Sequence, residues 1–94
     1  MALTYDGKPV LPTKKALDEL SDIGADLEFV IEILEKGFVV RKRKKIIIER
    51  GIQRGNKVAN VVVVDMGGYY KLIHAGEFTL SRKFKRLMRG HHGF

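Results

Sequence analysis

The chain has 94 residues, 45% of them hydrophobic, no cysteine, and a formal charge of +7. That length suits one domain with a single core and excludes two, and the missing cysteine excludes a disulfide scaffold, a thiolate metal site and a cysteine nucleophile. No apolar run approaches the roughly 20 residues that span a bilayer, and the opening MALTYDGKPVLPTKK lacks the apolar core of a secretory signal, so a cytoplasmic protein is expected.

Pro9 and Pro12 bracket a lead-in, after which Thr13 can cap a helix reaching Ser21. Ala16, Leu17 and Leu20 share one stripe of it. Gly24 interrupts the pattern and Asp26 is a second N-cap. Leu27, Val30, Ile31 and Leu34 then recur at i, i+3, i+4 and i+7 until Gly37, which predicts a second helix. Glu28 and Glu32 lie a turn apart on its solvated side.

Beyond Gly37 the period falls from 3.6 to 2. FVVR, KKIIIERGIQ, KVANVVVVDM and YYKLIHA read as four strands, with Gly55-Asn56 and Gly67-Gly68 as hairpin turns. The turn within Arg41 to Lys44 has no Gly, Pro, Asn or Asp, so the first two of these strands could equally be one bent strand. Ser81 can cap a last short helix, RKFKRLMRG, with Phe84, Leu87 and Met88 on one side and cations on the other. The expected fold is α+β. Two N-terminal helices (13–36) pack on an antiparallel meander sheet of three to five strands (38–78), and a short basic C-terminal helix and tail follow (81–90). Leu20, Leu27, Ile31, Leu34, Ile47, Val62 and Val64 are the expected core.

Charge divides at the same glycine. Residues 1–37 hold four Lys/Arg against eight Asp/Glu, and residues 38–94 hold fourteen against three. Within the basic half, RKRKK at 41–45 adjoins a strand. Alternation would send those cations to both faces, so the run belongs at an exposed edge or turn, where lysines also discourage pairing with other chains. Two cation clusters, this run and the C-terminal helix, favour a polyanion partner. Arg41, Arg43, Lys45, Lys71, Arg82 and Arg86 are the candidate phosphate contacts.

Catalytic groups are few. Metal-free RNA cleavage needs a proton acceptor, a proton donor and a cation at the phosphate, and Glu49, His74 and Arg82 are the candidates. His74 is placed at a strand end, turned toward the basic tail. Lys71 and His74 are an odd number of residues apart, which sends them to opposite faces unless a bulge intervenes. A packed histidine is the competing reading of His74, and packing competes with base stacking for Tyr69 and Tyr70. His91 and His92 are adjacent, a spacing that in any regular element would point them apart, and the chain has neither GxGxxG nor GxxxxGK[ST]; no metal, nucleotide cofactor or other cofactor is expected.

The succession KKALDEL, DLEFVIEILEKG, KKIIIERGIQRGNK, VANVVVVD and YYKLIHAGEF, over residues 13–80, resembles a small uncharacterised prokaryotic domain family related to RelE-type toxins. The resemblance implies an RNA-binding scaffold or a metal-independent endoribonuclease of a toxin-antitoxin pair. In such a protein scattered Lys, Arg, Tyr, Glu or His side chains on the sheet act on RNA or on the ribosome. Where many members carry a histidine in the first helix this chain has Lys14 or Lys15, a departure that weakens the case for carrying over a catalytic role at that position. Two alternatives remain: a protein-interaction module whose basic tail meets an acidic partner such as an antitoxin, and a homo-oligomer that uses a sheet edge or sets the acidic helical face of one copy against the basic sheet of the next.

Overall fold

The computed structural model describes residues 3–80. In chain order these form β1 (Thr4–Tyr5), β2 (Lys8–Pro12), α1 (Lys14–Asp22), α2 (Leu27–Lys36), β3 (Phe38–Val39), β4 (Ile47–Arg54), β5 (Lys57–Asp65) and β6 (Tyr70–Thr79). The six strands make one sheet in the order β1-β2-β6-β5-β4-β3.

Both helices begin on the expected caps. Thr13 Oγ1 accepts from the Ala16 N–H at 3.1 Å, and Asp26 Oδ1 accepts from the Phe29 N–H at 2.9 Å. The two helices cover one face of the sheet. Ala16 and Leu20 from α1 and Val30, Ile33 and Leu34 from α2 meet Ala59, Val61, Val63, Tyr70, Leu72 and Ala75 in one core. Leu20, Leu34 and Val62 are buried as expected, whereas Leu27, Ile31, Ile47 and Val64 are half-buried. Leu17, assigned to the α1 stripe, is 47% exposed. The α2 stripe is rotated toward Val30, Ile33 and Leu34, which are fully buried, while Leu27, Phe29 and Ile31 pack partly buried against the same core.

The sheet departs from the expectation of a purely antiparallel meander with three to five strands. β3 to β6 do form an antiparallel meander, but β1 and β2 precede the helices as a hairpin, and β2 pairs in parallel with β6 through Val10, Leu11 and Pro12 opposite Tyr70, Lys71 and Leu72. The prolines that hide β2 in the sequence are tolerated because β1 pairs only with Lys8 and Pro9, which leaves the Pro12 end an edge where no N–H is required. The basic helix expected from Ser81 lies outside the described residues.

Gly37 acts differently from a left-handed helix stop. Its φ is −74°, ordinary extended backbone, but a Cβ there would sit 2.6 Å from the Gly51 carbonyl oxygen and would collide with the Ile33 oxygen as well. Gly37 permits a close approach of α2 to β4. Gly55, by contrast, has φ +64° at the first position of the β4–β5 hairpin, where positive φ favours glycine.

The N-terminal hairpin is fastened by a polar clasp. Lys8 Nζ donates to Asp65 Oδ1 at 2.6 Å and lies 4.3 Å from the centre of the Tyr70 ring, whose hydroxyl donates to Asp6 at 3.4 Å. The hydrogen bond from Lys8, aided by the Gly67 N–H, holds the Asp65 carboxyl below its ordinary 3.8, and the same hydrogen bond holds Lys8 above 10.5. The depressed carboxyl stabilises the fold above pH 3.8, and this contribution is lost as pH falls through the folded value; the Lys8 contribution is lost as pH rises through its raised value.

Two outcomes follow from this packing. Ile33, 1% exposed, should cost about 2 to 5 kcal/mol when changed to alanine, read from denaturant midpoints, whereas half-buried Ile31→Ala should cost less. Asp65→Asn should lower stability near neutral pH, and the gap between variant and wild type should narrow as pH is taken below 3.8. A pH-independent gap would assign the effect to something other than the ion pair.

Candidate functional site

The helices leave the other face of the sheet to the loop between β3 and β4. Counting across the ladders, Glu49, Val62 and His74 form one row over β4, β5 and β6, and Gly51, Asn60 and Gly76 form the next. Residues 40–46 cross above this face. Val40 is tied by its N–H to the Glu49 carbonyl at 3.3 Å. Its Cγ2 lies 2.7 Å from where a Gly51 Cβ would be, so the glycine makes room for the loop.

A cleft of about 730 Å³ lies beneath, with Lys15, Arg41 and Arg43 on its rim and Glu49, Asn60 and His74 on its floor. Val62, Ile73 and Phe78 supply apolar lining. Glu77 also contributes to the wall, with Lys57 Nζ 3.7 Å from its carboxylate. Among the described residues no group of His, Asp and Glu side chains could hold a metal ion.

Glu49 is only 7% exposed, and a buried carboxylate must be paired and hydrogen-bonded. One oxygen accepts from Arg43 Nη1 at 3.1 Å and the other from Asn60 Nδ2 at 3.2 Å. The acid in the middle of the cationic face is therefore neutralised by the loop itself, and Arg43 holds the loop down while Arg41 beside it stays exposed.

His74 sits in mid-strand and not at a strand end. Val62 pairs with His74 and Val63 with Leu72, so Ile73 is the extra residue of a bulge. The bulge brings Lys71 and His74 to one face, because their partners Val64 and Val62 are two residues apart on β5. The His74 ring is directed to α1, and the basic tail it was expected to face lies outside the described residues. Its Nδ1 lies 3.0 Å from Glu19 Oε2, and the other Glu19 oxygen accepts the Ala75 N–H at 3.2 Å. β2 ends opposite Leu72, so Ala75 lies on an open stretch of strand edge, and Glu19 takes the place of a neighbouring strand there.

The structure thus brings together Arg41, Arg43, Glu49 and His74 around one cleft and places Lys71 on the same face by register. Lys45 lies to one side, lining a smaller hollow of about 190 Å³ under the loop. Arg82 and Arg86 lie outside the described residues. Glu49 and His74 are two strands apart, about 10 Å between backbones, with Val62 between them. Asn60, Glu19, Lys15 and Gly76 were not anticipated. Asn60 could have been: a two-residue turn at Gly55-Asn56 fixes the register, and that register puts the one polar residue of VANVVVV diagonally beside Glu49.

Comparison of the chain with protein-family models, with characterised proteins and with solved structures finds no match. The RelE-type resemblance accordingly rests on the sequence pattern alone.

Glu49→Ala removes the acceptor shared by Arg43 and Asn60. It should lower stability by about 1 to 3 kcal/mol and speed exchange of the Val40 amide hydrogen. Unchanged stability and exchange would mean that the loop is held by other contacts.

Proposed function

We propose that the protein binds single-stranded RNA in the cleft opposite its helices. The observation that carries this reading is the arrangement of charge. Lys15, Arg41 and Arg43 rim one cleft, and because Arg43 and Asn60 satisfy Glu49, the buried acid at its floor, Lys15 and Arg41 are left to meet an incoming phosphate. Lys71 extends the basic face along β6. The apolar floor at Val62 and Ile73 suits the flat faces of bases better than it suits an all-phosphate ligand.

Binding is favoured over cleavage. Both Glu49 oxygens are occupied, and His74 Nδ1 is engaged by Glu19, so the two candidate proton carriers serve first to shape the cleft. Glu49 could serve in acid-base chemistry only by releasing Arg43 or Asn60, so no second proton carrier stands ready beside the free Nε2 of His74.

The test is fluorescence anisotropy with a labelled single-stranded RNA over a range of salt. Affinity should fall with a log-log slope of about −0.7 for each phosphate contacted, and Arg41→Glu and Lys71→Glu should each weaken binding and flatten the slope by about one contact. Failure of the wild type to bind RNA at low salt, or full affinity in both variants, would overturn the reading.

A further inference from the structure

The cleft floor contains two hydrogen-bond acceptors whose orientation is set from behind. Asn60 Nδ2 is turned to the Glu49 carboxylate, which can only accept, so the amide cannot be reversed and Oδ1 is left on the other side, toward Gly76. The His74 ring is set in the same way. Its Nδ1 faces the Glu19 carboxylate, which only accepts, so the tautomer with the hydrogen on Nδ1 is the one selected, and in that tautomer Nε2 is an acceptor. Both atoms converge over Gly76: a Cβ placed there would lie 3.1 Å from His74 Nε2 and 3.5 Å from Asn60 Oδ1. Gly76 has no left-handed backbone requirement; its missing side chain instead leaves room for the His74 ring, which a Cβ would crowd.

We propose that Asn60 Oδ1 and His74 Nε2, above Gly76, form a subsite for the exocyclic amino group of a nucleobase, so that cytosine and adenine are preferred over uracil. The inference rests on the RNA-binding reading and adds base preference to it. An amino group offers two N–H donors from one nitrogen, which matches two acceptors converging on one space. Uracil puts a carbonyl oxygen where cytosine has its amino group, and its single N–H is flanked by carbonyls, so either edge would set acceptor against acceptor and leave buried Asn60 unpaired. Arg41 and Lys15 on the rim remain available for the adjoining phosphate. Glu19 and Glu49 act as positioning residues.

The experiment compares oligo(C) with oligo(U) of equal length, a pair differing only in the C4 substituent and the proton on N3, by anisotropy at fixed salt. Cytosine should bind about tenfold tighter. Gly76→Ala, which puts a methyl group against Nε2, should bring the two affinities together. Glu19→Gln should do so as well without entering the cleft: the new amide can donate to Nδ1 and turn Nε2 into a donor, while its oxygen continues to accept from Ala75. Equal wild-type affinity for the two oligonucleotides, or a cytosine preference that survives both substitutions, overturns the subsite and leaves RNA binding standing. Binding of neither oligonucleotide removes the RNA reading itself. Free cytidine monophosphate is a further competitor. Displacement only far above the oligonucleotide concentration is expected, and parity between the two would keep the subsite but assign it to a mononucleotide.

Discussion

A carboxylate with almost no access to water has to be satisfied from inside the protein, and Glu49 is placed where that demand organises a whole face of the sheet. Arg43 answers from the loop and Asn60 from the neighbouring strand. The first contact draws a seven-residue cationic connection down across β4, although self-repulsion and hydration would otherwise lift it away. The second fixes which end of the Asn60 amide faces the cleft. One buried charge thereby sets the position of the rim and the hydrogen-bonding character of the floor.

The helix side and the cleft side are built by different physics. On the helix side, valines, leucines and alanines from β5 and β6 meet two amphipathic helices, and burial of apolar area supplies the stability. On the cleft side the sheet uses an ion pair with its acid buried and its cation exposed, an amide and two glycines, which define shape and polarity. α1 links the two. It packs Ala16 and Leu20 into the core, and from the same helix Glu19 reaches the exposed edge of β6 while Lys15 reaches the cleft rim, the two residues lying one turn apart.

What the sequence disclosed follows from how local each signal is. Thr13 and Asp26 mark helix starts because capping is decided within three residues, and the change of period at Gly37 locates the switch from helix to sheet. β1 and β2 were illegible. KPVLP holds two prolines in five residues, and its partner β6 lies some 60 residues away, so neither propensity nor a turn signal announces the pairing. The cleft was half legible. Glu49 and His74 stood out as rare ionisable groups in apolar strands, but their partners Asn60 and Glu19 depend on register and on the path of α1. The bulge at Ile73, which reverses the expected relation of Lys71 and His74, has no glycine or proline to mark it.

We place the ligand on the face opposite the helices, the face that Glu49 organises. The most direct measurement is a map of backbone amide chemical shifts during titration with a single-stranded RNA oligonucleotide. Shifts concentrated at Arg41, Asn60, His74 and Gly76, with Val30, Ile33 and Ile52 on the helix side unmoved, are the predicted result. Shifts confined to the helix side, or none at ligand concentrations that saturate a binding assay, would contradict it.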